Sequence, residues 1–462
     1  MLYKMKFKAV LLIHRYLGFA LSLMFVVWFL SGMMMMYVTY PTMKYEQRLQ
    51  QLPVLNVAQV HIIPPQIRDA KRVRLGMLLD RPVYRIDQQV IFADNGDTLT
   101  QVDTLLASRI AEAFVHNSSH PKSVSVLTEI DQWMAAHRSQ GYLPEVYRFK
   151  MDDAAGTYIY VSKHTGEVVQ MVNARQRFLA WLGPIPHWIY PTILIRNRPI
   201  WSQVVIWVSF AGTIMCLAGI IMGFVRYRRK RGLQFSPYKK VWFKYHHYTG
   251  FIFGLFVFTW VLSGLFSMSP IPLGTKSTPV NAVKANFLFP PQQLAAKGAK
   301  EIQLIEVEGK PYYLAWIDGQ HTHLLAADKA DAQPFALFDK AAFSFKGKGE
   351  ILHTYDNYYY SRKYEKRLPV LRIKDGARWS YIDLRTGQLV LQQDNGARVE
   401  RWLYHGLHSL DFSFLAYKRP LWDIVVWVLM LGGTMVSVTG AALTWKWLKR
   451  KKVVSKVKIP GI

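Results

Sequence analysis

Long apolar runs alternate with longer stretches of mixed polarity along this chain. Four runs, at residues 9–38, 201–225, 245–268 and 424–445, are long enough to cross the ~30 Å hydrocarbon core of a bilayer, for which a helix needs about 20 residues. The first is uncharged from Tyr16 to Met43. That exceeds the ~7–15-residue apolar stretch of a signal peptide, and no small-x-small cleavage site follows cleanly, so a retained anchor is expected. Between the runs the pattern is mixed α and β. Alternating positions flank Thr165-Gly166 and Thr386-Gly387, a hairpin signal in which Gly takes the φ > 0 position. Helical periodicity appears at 105–114 and 174–182. Residues 271–350, rich in Ala, Lys and Pro, show no clear boundaries and are expected to hold long loops.

The chain also repeats itself. His14-Arg15-Tyr16-Leu17-Gly18-Phe19 recurs as His246-His247-Tyr248-Thr249-Gly250-Phe251, and in that register Trp28, Ser31 and Gly32 match Trp260, Ser263 and Gly264. Leu143-Pro144 followed by Tyr147-Arg148-Phe149-Lys150 matches Leu368-Pro369 followed by Leu371-Arg372-Ile373-Lys374. Trp181-Leu182, His187 and Arg198-Pro199-Ile200-Trp201 match Trp402-Leu403, His408 and Arg419-Pro420-Leu421-Trp422 at constant offset. Each half therefore reads as one span, one outer segment and a second span. Two such units that start and end on the same side are parallel repeats, related by a pseudo-twofold axis along the membrane normal.

Charge orients this arrangement. The 58 Lys and Arg exceed the 30 Asp and Glu, for a formal +28. Three stretches contain no acid: the amino-terminal eight residues with three Lys, 226–244 with eight basic residues, and the tail from 446 with seven. The positive-inside rule assigns these 18 charges, both termini and the central loop to the cytoplasm, so nucleic acid is not needed to explain them. The outer segments keep a balance of about +9, suited to steering anionic ligands. A hydrophobic content of 51% excludes disorder, ordinary Gly and Pro exclude fibrous repeats, and Cys216, the single cysteine, excludes a disulfide scaffold.

Histidine carries the chemical signal. His14 and His246 lie in the first and third spans near the cytoplasmic face, and His187 and His408 precede the second and fourth spans near the outer face. A single histidine near a span end is ordinarily an interfacial residue bonded to backbone or headgroup. Equivalent positions in both halves add a further reading, because a pseudo-twofold axis lets two imidazoles clamp one metal from opposite sides. The spans lack the clustered Cys, His or carboxylate that zinc needs, and no Cys-x-x-Cys-His is present for covalent haem. Non-covalent haem b with two axial His, two haems in all, remains. His247 and His405 lie beside these positions without a repeat counterpart, and either is an alternative ligand to its neighbour. His61, His116, His120, His137, His164, His321, His323 and His353 fall in the outer segments and read as solvated. The Met33 to Met36 run cannot converge on one ion, since consecutive helical residues diverge. Trp28 and Trp260 read as packing, with electron relay as the alternative. Tyr358-Tyr359-Tyr360 with Arg362 and Lys363 reads equally as a ligand contact or a strand edge. No Walker loop, Ser-His-Asp or His-Glu-x-x-His pattern occurs.

Trp181-Leu182-Gly183-Pro184-Ile185-Pro186-His187-Trp188, Trp402-Leu403-Tyr404-His405-Gly406-Leu407-His408-Ser409-Leu410-Asp411 and the two His-initiated repeats resemble the PepSY-associated transmembrane proteins, also called iron-regulated membrane proteins. The resemblance implies a membrane protein with four transmembrane helices in a pseudo-twofold duplicated bundle and two α+β, PepSY-like extracytoplasmic domains. The boundaries expected are 1–45 for the amino terminus and first span, 46–196 for the first outer domain, 197–225 for the second span and 226–244 for the basic loop. The third span, second outer domain, fourth span and tail follow at 245–270, 271–418, 419–445 and 446–462. It also implies a haem-dependent reductase of ferric siderophores or other ferric chelates in the bacterial inner membrane. A cytoplasmic reductase or quinol would be its electron donor, since the chain encodes no donor domain. A non-catalytic membrane protein that binds or regulates an envelope peptidase or other partner is the alternative.

Overall fold

The computed structural model describes residues 2–116, 119–135, 145–227, 235–277, 282–362 and 365–457. His137, Lys363, Leu143-Pro144, residues 228–234 of the basic loop and the end of the tail lie outside them. Two compact units emerge: a helical one of Met1–Tyr40, Leu179–Leu273 and Arg398–Ile462, and a β-rich one of Pro41–Phe178 and Gly274–Ala397.

The helical unit is built on four long helices, Leu2–Met35, Arg198–Val225, Val241–Phe266 and Leu421–Val457. Their stretches Phe7–Met35, Arg198–Val225, Val241–Phe266 and Leu421–Lys449 are long and apolar enough to cross a membrane. Local chemistry starts the second span where it starts: the Asn197 side chain accepts from the Ile200 N–H, and Pro199 occupies the first turn, where its missing N–H costs nothing. The first and third spans each pack against the second and fourth, so first and third lie diagonally across the bundle. The bundle interior is Phe25, Phe29, Met33, Met215, Val257, Trp260, Trp422, Val426 and Met430. Leu23, Leu30, Trp207, Ile252, Leu255 and Val428 face outward, as expected for helices whose outer solvent is hydrocarbon. Two short helices carry the other histidines: Pro184–His187 packs on the first span, and Leu407–Ser409 on the third.

Among the described residues the β-rich unit forms three antiparallel sheets. From the first outer segment come β1 (Val73–Leu78), β2 (Arg81–Ile86), β3 (Gln89–Phe92), β4 (Pro121–Leu127), β5 (Val146–Met151), β6 (Tyr158–Ser162) and β7 (Val168–Val172). The second contributes β8 (Lys276–Ser277), β9 (Glu301–Val307), β10 (Lys310–Trp316), β11 (Thr322–Ala326), β12 (Lys348–Leu352), β13 (Val370–Asp375), β14 (Arg378–Asp383) and β15 (Gln388–Gln393). Each segment thus makes a three-strand meander and a four-strand one, and in the second segment β8 adds a fifth strand beside β15. The Thr-Gly hairpins join β6 to β7 and β14 to β15, with Gly166 and Gly387 at φ +60° and +66°. The helical periodicities become Thr104–Val115, capped by Asp103, and Ala174–Leu182.

Two expectations change here. The segment 271–350 holds the strands β9–β11 beside the expected long loops, of which 327–347 carries no strand or helix beyond the 3-10 turn Lys340–Ala342. Both faces of these strands are largely buried, and buried polar residues such as Glu301 and Thr322 interrupt the apolar positions, so regular alternation is lost. The outer segments, expected as separate domains, share one sheet ordered β11-β10-β9-β1-β2-β3. β1 and β9 pair antiparallel, Val73 opposite Leu304 and Gly76 opposite Glu301, so that each satisfies an edge the other would leave open. A buried ion network crosses the same seam. Arg48 binds both Glu167, at 2.8 Å, and Glu301; Arg74 grips Glu167 through two bonds of 2.5 and 2.6 Å. Burial raises the cost of the Glu167 charge, but Arg74 and then Arg48 outweigh it and hold its carboxyl well below the usual range.

Candidate functional site

The helical bundle brings the rings of His14 and His246 together, with centroids 6.1 Å apart and planes inclined by 34°. Nδ1 of His14 lies 3.0 Å from the Met215 carbonyl of the second span, and Nδ1 of His246 lies 3.0 Å from the Thr439 hydroxyl of the fourth. A carbonyl only accepts, so His14 Nδ1 carries the proton. The Thr439 hydroxyl already donates to the Met435 and Val436 carbonyls of its own helix, so it too accepts from the ring. In this tautomer Nε2 is the lone-pair nitrogen of both rings. Glycines make room for them: a Cβ at Gly219 would stand 2.7 Å from His14 Cε1, and one at Gly440 would stand 3.5 Å from His246 Cε1.

His187 and His408 form a second pair, again with centroids 6.1 Å apart. His187 Nδ1 is 3.1 Å from the Trp28 carbonyl and 3.3 Å from Ser31 Oγ. His408 Nδ1 is 3.3 Å from the Trp260 carbonyl and 3.1 Å from Ser263 Oγ. Gly32 and Gly264 complete the cradle, since a Cβ there would meet the rings' Cε1 atoms at 3.2 and 3.6 Å. The recurring Trp-x-x-Ser-Gly sequence is therefore a histidine seat: one carbonyl, one hydroxyl and a missing side chain.

These pairs fit a metal that brings its own equatorial ligands. Two imidazole nitrogens bonded to one ion at about 2.0 Å each, with about 1.1 Å from nitrogen to ring centre, place the centroids about 6 Å apart. Among the described residues no group of three or more His, Cys, Asp or Glu gathers, so each pair stands without the further protein donors that zinc demands. Around His14 and His246 lies a cavity of about 860 Å³. Gly18 and Gly250, one helical turn beyond the two rings, line it and have no atom within 4 Å of an added Cβ. That open space beside two opposed imidazoles suits the face of a flat macrocycle. Arg15, Lys240 and Lys446, also lining the cavity, suit anionic substituents on its edge.

The alternative histidines have other partners. His247 is buried and turned among Phe235, Tyr238 and Phe251. Its Nε2 lies 3.2 Å from the Gly223 carbonyl, one of the last four of the second span, which have no acceptor role inside their own helix. His405 lies in the one-turn π-helical stretch Trp402–Gly406 with its ring tilted against Tyr404, while His408 lies opposite His187. In the β-rich unit His116 binds the Gln51 carbonyl and His321 binds Asp318. Tyr359 bonds the Arg367 carbonyl and stacks on Tyr381, so part of the tyrosine run belongs to the local packing. Sequence reasoning missed Met215, Gly219, Thr439 and Gly440, which sit in apolar helices without a local signal. Ser31, Ser263, Gly32 and Gly264 were visible as repeats, but their contact with histidine was not.

Four apolar helices, a β-rich unit and two histidine pairs within the helical unit define a multi-pass membrane protein. The chain belongs to the PepSY-associated TM region family, whose model matches residues 11–450. Comparison with curated proteins gives no match.

Proposed function

We propose that this is a di-haem, b-type electron carrier of the bacterial inner membrane that reduces ferric siderophores or other ferric chelates in the periplasm. The observation that carries the reading is the pairing of His14 with His246 and of His187 with His408, each at 6.1 Å with Nδ1 anchored. His14 and His246 hold the inner haem, and His187 and His408 the outer one. Bound haem supplies one-electron transfer. The chain's part is to fix the imidazole tautomer, to exclude water with the aromatic bundle interior, and to leave room at Gly18 and Gly250. Both termini and the basic loop are read as cytoplasmic, the β-rich unit as periplasmic, and the halves as duplicated units about a pseudo-twofold axis. Electrons enter from a cytoplasmic reductase or from quinol. Reduction releases iron because hard chelate oxygens favour Fe(III) over Fe(II). The basic balance of the outer segments steers anionic chelates.

The test is a reduced-minus-oxidised spectrum with a pyridine haemochrome assay on the purified full chain. Two haems per chain are expected. His14→Ala or His246→Ala removes one, and His187→Ala or His408→Ala removes the other. A folded, haem-free protein ends this reading and leaves the non-catalytic, partner-binding one.

A further inference from the structure

Serine and threonine inside a helix are neutral to slightly unfavourable, because their hydroxyls back-bond to a preceding carbonyl and compete with the helix. Three such hydroxyls sit against the paired histidines. Ser31 donates to the Trp28 carbonyl at 3.1 Å and Ser263 to the Trp260 carbonyl at 2.9 Å, each three residues back. Thr439 donates to the Met435 and Val436 carbonyls at 2.8 and 2.9 Å. Each hydroxyl proton is thereby spent on its own helix, and the oxygen lone pair is turned toward an imidazole N–H. At Ser31 and Ser263 the N–H is shared between carbonyl and hydroxyl, since both lie within 3.3 Å of Nδ1. His14 differs: its Nδ1 donates to the Met215 carbonyl at 3.0 Å, and Ala218, which has no hydroxyl, occupies the repeat position of Thr439.

We propose that Ser31, Ser263 and Thr439 are positioning residues that act through the histidines to set the reduction potentials of the two sites, two hydroxyls at the outer site and one at the inner. This rests on the di-haem reading above. An acceptor on Nδ1–H makes the imidazole a stronger donor at Nε2, which stabilises the ferric state and lowers the potential. The acceptors are neutral, so each contribution is modest. The asymmetry between His14 and His246 gives a test of sign as well as size.

The experiment is a spectroelectrochemical titration of the full chain, with the two waves assigned from the single-haem His14→Ala and His187→Ala forms. Thr439→Val is expected to raise the inner potential and Ser263→Ala the outer one. Each shift corresponds to roughly a threefold change in the reduction equilibrium, ~30 mV at 59 mV per tenfold, with the other wave unmoved. Ala218→Thr, which supplies the missing hydroxyl to His14, is expected to lower the inner potential. Haem content stays at two, which separates a tuning role from a merely structural one. Where Ser263→Ala fails to retain the outer haem, Ser263→Cys is read instead, with a smaller rise. Potentials unmoved in Thr439→Val and in the Ser263 variant, or both waves moving together, overturn the inference whatever Ala218→Thr does. A wild-type chain without haem overturns the underlying reading instead, so the two failures are distinct.

Discussion

Gly219 and Gly440 occupy matching places one turn beyond Met215 and Val436, yet they predict opposite outcomes when a methyl is added. At Gly219 the new Cβ lies 2.7 Å from His14 Cε1 and 3.0 Å from Nδ1. Ordinary carbon contacts begin near 3.4 Å, so the ring must retreat by roughly 0.7 Å. Retreat is away from the helix that carries Met215, so it lengthens the 3.0 Å bond that fixes the His14 tautomer. Overpacking costs about 1–3 kcal/mol and the weakened hydrogen bond about 1 kcal/mol more, against a helix-propensity gain of about 1 kcal/mol for Gly→Ala. The net is destabilising by about 1–3 kcal/mol and falls on the His14 ring itself. At Gly440 the nearest ring atom is 3.5 Å away, an ordinary contact, so the propensity gain decides and the change is neutral to slightly stabilising. On the proposed di-haem reading, haem per chain, measured by pyridine haemochrome, should fall from two to one in Gly219→Ala and stay at two in Gly440→Ala, with thermal unfolding following the same order. Two haems with an unaltered spectrum in Gly219→Ala would refute the reasoning, as would equal losses in both variants.

Further outcomes follow from other parts of the molecule. His247→Phe should keep both haems and lose about 1 kcal/mol, because only the Gly223 carbonyl loses its partner; loss of a haem would mean that His246 is not the ligand. Glu167→Gln leaves Arg48 and Arg74 buried with one carboxylate fewer and should cost about 3–5 kcal/mol in thermal unfolding, and an unchanged Tm would show that the network is idle. The Glu167 pKa is depressed on folding. Its stabilisation is therefore complete above the ordinary carboxylate value of about 4.3 and is lost progressively as pH falls below that value towards the lower folded one. Unfolding of the wild type measured from pH 7 to pH 3 should show this acid limb, and Glu167→Gln should lack it.

Much of the architecture was legible in the chain. The four spans follow from apolar length, the Thr-Gly hairpins from the φ > 0 requirement, and the helices Thr104–Val115 and Ala174–Leu182 from their period. Strands β9 to β11 were not legible, because burial on both faces erases the alternation that marks a strand.

Residue type and repeat register by themselves determined that this chain makes apolar helices long enough to cross a bilayer, and that His14, His246, His187 and His408 are the histidines in equivalent places. Which of the adjacent histidines turns inward was decided only by tertiary structure. His246 and His247 differ by about 100° around one helix, and only bundle packing determines which of those directions faces His14. The seats are also tertiary. Ser31 reaches His187, and Ser263 reaches His408, across more than a hundred residues, while Arg48, Arg74, Glu167 and Glu301 meet only because β1 and β9 share an edge. Local sequence encodes direction and period; contacts between distant residues depend on how the elements pack.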